Sequence, residues 1–149
     1  MLRFESASKV GVSAVRAIVG EAAGVDRQWW HKPLSFENAA PQAPEYLKGG
    51  ISLFRPGVPL EDDLFMAFGD MAAVVELLSG WAKAHGVKWH LFMNADDWGT
   101  IDPTGPSQVL LGQLKKWSKR AKVPDAGKGQ WLIPDTRRRD ISMKHPPKA

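Results

Sequence analysis

His90, Asp96 and Asp97 stand close together in the chain, and an imidazole beside a carboxylate is the pair a small hydrolase uses to move protons near neutral pH. Those three residues are the sequence's candidates for acid–base chemistry. No nucleophile motif accompanies them. The Gly-x-Ser-x-Gly turn is missing, since Gly11-Val12-Ser13-Ala14-Val15 fails at its last position, and the chain has no cysteine. A histidine on the polar side of a strand is more often simply solvated, so no catalytic residue is assigned.

The same region gathers Asn94, Asp96, Asp97 and Asp102, a density of oxygen ligands that raises calcium or magnesium as a possibility. The spacing argues against it. A calcium loop counted from Asn94 places Trp98 where an oxygen ligand belongs and Gly105 where the closing glutamate must stand. His31, His85 and His145 lack zinc-ligand spacing, and the absence of cysteine removes thiolate sites altogether. Gly127-Lys128-Gly129 is too short to cradle a phosphate. Neither a metal nor a cofactor is expected.

Two other features point to binding rather than catalysis. The overall charge of +4 conceals a cationic stretch from Lys115 onward behind a body of net negative charge. Lys115, Lys116, Lys119 and Arg120, followed by Arg137, Arg138 and Arg139, are the residues a nucleic-acid-binding reading would use. The second feature is seven Trp against a single Tyr. Core filling accounts for most of such rings, but the pair in Trp29-Trp30-His31, together with Trp98, is where a partner-binding hot spot is expected.

Apolar spacing supplies the elements that would carry these groups. A helix is expected over 8–23, irregular chain over 25–50, and a strand over 51–55 ended by Pro56-Gly57. Residues 60–85 read either as one long helix or as a strand at 64–68 followed by a helix over 70–85 capped by Asp70. The second is preferred here, because Asp is a good N-cap. Gly86 then ends the helix. The alternation of Val87, Trp89, Leu91 and Met93 predicts a strand over 87–93. A turn over 94–97 and a returning strand over 98–101 complete a hairpin. A helix over 107–122 follows. The basic segment 123–149, containing Pro and Gly, is expected to lie on the body through Trp131-Leu132-Ile133.

The expected fold is therefore α+β: a small, mostly antiparallel sheet of about four strands with two or three helices packed on it, in one domain over 1–122. No apolar stretch of membrane-spanning length and no signal peptide is read from the sequence, which points to a cytoplasmic protein of the small bacterial or phage kind. The leading functional expectation is a non-enzymatic interaction module of the immunity, inhibitor or assembly type, whose partner is another protein. Nucleic-acid binding through the basic helix and tail comes second. A small hydrolase using His90 with Asp96 or Asp97 comes third.

Overall fold

A computed structural model describes residues 1–37 and 42–123, together with the backbone of 125–127 and 130–131. In chain order the elements are β1 (Leu2–Ser6), α1 (Val12–Ala23), β2 (Ser35–Phe36), β3 (Lys48–Ile51), α2 (Leu60–His85), β4 (Trp89–Met93), β5 (Asp96–Asp102), β6 (Gly105–Pro106) and α3 (Gln108–Arg120). A separate two-stranded ladder joins β7 (Asp125–Gly127) to β8 (Gln130–Trp131). The main sheet has six strands in the order β2-β3-β1-β4-β5-β6, and every neighbouring pair is antiparallel. The fold is α+β as expected, with six strands in place of about four. The outermost two are only two residues long.

The centre of the sheet is β1, a strand that the sequence reading above does not include. Leu2, Phe4 and Ser6 are buried while Arg3 is exposed and Glu5 half-buried, the alternation of a strand covered on one face. Phe4 meets Phe36 edge-on at 5.4 Å and Trp89 at 5.9 Å between ring centroids, so β1 is fixed by rings from both sides of the sheet order.

Residues 60–85 form one helix, which overturns the expected strand at 64–68 and the expected Asp70 cap. Helix α2 buries residues around its whole circumference, from Asp63 and Leu64 to Trp81 and Ala82, as the central helix of a core does. It also corrects the expectation about membrane-spanning length. By length and hydropathy α2 is sufficient to cross a bilayer, yet most of it is buried inside the domain. Its acidic first turn, its basic last turn and the left-handed Gly86 at φ 68°, whose N–H reaches Ala82 O, set its ends. Helix α1 is tied to it by the Trp81 indole, which donates to Glu21 Oε2 at 2.7 Å.

The expected β4–β5 hairpin forms, but its turn is only residues 94–95, with Asn94 at φ 55°, and the returning strand begins at Asp96 instead of 98. Its register shifts within the ladder: Leu91 faces Gly99 whereas Phe92 faces Asp97, so Trp98 is an inserted residue. The bulge lets both Trp98 and Gly99 turn to the core, leaving Asp97 and Thr100 on the opposite face. Gly99 sits at φ 110°, and a Cβ there would lie 2.7 Å from Ser107 Oγ and 2.9 Å from the Leu110 nitrogen. That close approach locks the start of α3 to β5. Ser107 is the N-cap, and its Oγ accepts from Leu110 N at 3.2 Å and from Thr100 N at 3.1 Å.

Candidate functional site

The helices bury one face of the sheet, and among the described residues no helix packs over the other. This is the usual condition of an antiparallel sheet with one wet side. The registers lay the side chains of the open face out in two transverse rows. One row runs Lys48, Glu5, His90, Thr100; the other runs Gly50, Arg3, Phe92 and, across the bulge, Asp97. Glu37 and Tyr46 border them, and Tyr46 is a large exposed ring, at 46%. Arg3, Glu5, Glu37, Lys48 and Phe92 line a shallow depression of about 400 Å³.

Within this face the structure brings His90 and Asp97 together. His90 Nε2 lies 3.0 Å from Asp97 Oδ1, and the same oxygen accepts from Gly99 N at 2.8 Å. The bulge makes this possible, because it places Asp97 rather than Trp98 opposite Phe92, on the same side as His90. The His90 ring also lies against Phe92, with centroids 4.3 Å apart and the planes tilted by 30°. The hydrogen bonds from His90 and then from Gly99 hold the Asp97 carboxyl below its ordinary range. Asp96 faces Met93 in the ladder and is exposed, with no part in the pair. The arrangement orients an imidazole at the protein surface. An open depression of about 380 Å³, lined by Glu5, Ser6, Tyr46, Lys48 and His90, adjoins the pair, and among the described residues no hydroxyl is hydrogen-bonded to His90.

The aromatic residues singled out from the sequence lie elsewhere. Trp98 is 3% exposed and packs near Trp117 at 6.3 Å, so its ring belongs to the core and not to a contact surface. Trp29, Trp30 and His31 are half-buried in the segment that crosses α2. One carboxylate of the helix clamps that segment, and a second holds the loop that carries Arg55. Asp70, fully buried, accepts from Arg27 at 2.8 Å and from the Trp30 backbone N–H at 2.8 Å. Asp63, equally buried, accepts from the Arg55 backbone N–H at 2.8 Å and from its guanidinium at 2.7 and 3.0 Å. The two guanidinium groups lie over indoles, Arg27 over Trp29 at 5.3 Å and Arg55 over Trp30 at 4.9 Å. Each ring of the tryptophan pair is half-buried and has a guanidinium over it.

The two carboxylates respond differently to burial. Desolvation raises Asp70, and the bonds from Arg27 and Trp30 offset this only in part. At Asp63 desolvation is likewise the largest influence, but the Arg55 side chain and backbone bonds together outweigh it and hold the group below its ordinary value.

Of the basic residues, Lys115, Lys116, Lys119 and Arg120 are exposed on α3. Arg120 is engaged, bonding Glu61 Oε1 at 2.9 Å and lying 5.2 Å over Trp117. Arg137, Arg138 and Arg139 lie outside the described residues, as do the anchor residues Leu132 and Ile133. Among the described residues, no three His, Asp or Glu side chains converge as metal ligands. Asp102 instead accepts from the hydroxyl and N–H of Thr104 in a local turn.

Sequence reasoning found His90 and Asp97 but missed Arg3, Glu5, Tyr46, Lys48 and Phe92. The alternation in Leu2-Arg3-Phe4-Glu5-Ser6 was the available signal for the first two. Comparison with protein-family models, with curated proteins and with solved structures finds no match to this chain.

Proposed function

We propose that this chain is a non-enzymatic module that binds another protein in the cytoplasm, of the immunity, inhibitor or assembly type, and that it does so through the open face of its sheet. The observation that carries the reading is the pair of side-chain rows on that face. Phe92, His90 and the neighbouring Tyr46 supply rings, interleaved with Arg3, Glu5, Lys48 and Asp97. Rings among charges of both signs, on the open face of an antiparallel sheet, suit a polar-rimmed protein interface. They suit a small-molecule site less well, because the depressions on this face are open whereas such sites enclose most of their ligand.

The His90–Asp97 pair fits this role without chemistry. Asp97 fixes the imidazole against Phe92, so the face presents preordered groups and a partner need not immobilise them. A hydrolase reading would need a nucleophile and a water-excluding cleft around the pair, and neither supports it here.

The test compares co-purification from host extract by the full chain and by variants carrying Phe92→Glu or Tyr46→Glu. The expected result is one discrete protein retained through moderate salt by the wild type and lost from both variants, with melting curves unchanged. Equal retention by wild type and variants would show that the partner docks elsewhere.

A further inference from the structure

We propose that the outer face of α3 is a second docking surface, built for the phosphate backbone of nucleic acid and independent of the open sheet face. The helix turns Leu110, Leu114 and Ser118 inward, so its apolar side is committed to the core. Its outer side carries Lys115, Lys116 and Lys119, all exposed, and the exposed Lys122 just beyond its end. The helix contains no acidic residue. Lys115 and Lys119 are one turn apart, about 6 Å along the axis, and Lys116 lies beside them.

Like charges at this spacing repel one another in the free protein, and α3 itself supplies no carboxylate to offset them. Glu61, from the first turn of α2, does reach the helix, but Arg120 already takes it. The lysine ammonium groups therefore form a positive stripe whose complement is a ligand with regularly repeated negative charge. The helix dipole does not assist, since its negative end lies at this terminus. Attraction must come from the side chains.

The same features select among polyanions. An anionic membrane surface would be engaged by apolar residues beside the lysines, yet α3 offers only Val109 as an exposed large apolar side chain. A phosphate backbone asks for cations alone and carries no sequence information, which matches a stripe of lysines without a base-reading constellation. The sequence beyond the helix adds Lys128, Arg137, Arg138, Arg139, Lys144 and Lys148 against Asp125, Asp135 and Asp140, a net positive charge.

The experiment titrates the full chain against a short labelled DNA duplex by fluorescence anisotropy over a range of salt concentrations. It includes a Lys115→Gln/Lys116→Gln/Lys119→Gln variant and an Arg137→Gln/Arg138→Gln/Arg139→Gln variant, each checked for an unchanged melting curve. The wild type is expected to bind with affinity falling steeply as salt rises. The lysine variant is expected to bind at least about tenfold more weakly at low salt, with the log–log salt slope shallower by about 3, at close to one unit for each phosphate left unneutralised. Absence of duplex binding by the wild type at low salt overturns the inference. So does a lysine variant that binds with the wild-type slope, whether or not the arginine variant loses binding.

Discussion

Asp63 and Asp70 stand two helical turns apart on one side of α2, both almost wholly buried, and each holds an arginine from a different loop. Their side chains convert a stretch of irregular backbone into a fixed layer over the helix. The segment around Arg27 and Trp30 has little regular structure of its own, and this pairing is what seats it.

Removing one member of the inner pair should therefore be costly. Asp70→Ala is expected to destabilise the domain by about 3–5 kcal/mol, because Arg27 is left as a half-buried charge and the Trp30 N–H loses its acceptor. Arg27→Met in the Asp70→Asn background should cost less than the two single changes added together. Urea denaturation of the four proteins checks this, and simple additivity would show that the pair is not coupled.

The pH dependence of Asp63 follows from the sign of its shift. Its folded-state carboxyl lies below the ordinary value of about 4, so the stability it contributes is present above that value. It is lost as pH falls through the folded-state value. Asp63→Asn should thus be less stable than wild type at neutral pH, with the gap narrowing as the solution is acidified. Asp70 has the opposite sign, since its raised folded-state value means that proton uptake favours the folded form. Asp70→Asn should accordingly steepen the loss of stability toward acid. Melting temperatures across the acid range distinguish the two slopes.

Gly99 has no room for a methyl group. Gly99→Ala is expected to cost about 1–3 kcal/mol from its positive φ alone. The clash with Ser107 Oγ and the Leu110 backbone adds to that. A chemical-denaturation midpoint close to wild type would mean that the bulge can relax.

Ser107 joins two elements with one hydroxyl. Ser107→Ala should remove the N-cap bond to Leu110 and the acceptor for Thr100 N together, for a loss of about 1–2 kcal/mol. Amide hydrogen exchange should show the loss of protection at both nitrogens, whereas a change at Leu110 alone would mean that Thr100 has found another acceptor.

Local pattern was enough to read the hairpin, α3 and the Gly86 cap, because in each the period, the turn residues and the cap agree within a few positions. It failed where a distant partner decides. Asp70 resembles an N-cap until Arg27, far away in sequence, is seen to occupy its carboxylate. Gly69-Asp70 then continues the helix instead of starting one. The strand expected at 51–55 lies at 48–51, since pairing with β1 sets its register rather than the apolar run. Both members of the His90–Asp97 pair were visible as residue types. Their meeting depends on the inserted Trp98, a shift that alternation alone does not disclose.

The outer strands of the sheet bear on how this molecule can associate. At either margin β2 and β6 offer only two residues each, too few for the main-chain hydrogen bonds by which an extended peptide from another chain would lengthen a sheet. Among the described residues, these two margins of the main sheet are therefore poor templates for strand addition by an extended peptide. Under the proposed protein-binding role, a partner would meet the open face of the sheet and be recognised by what its side chains touch.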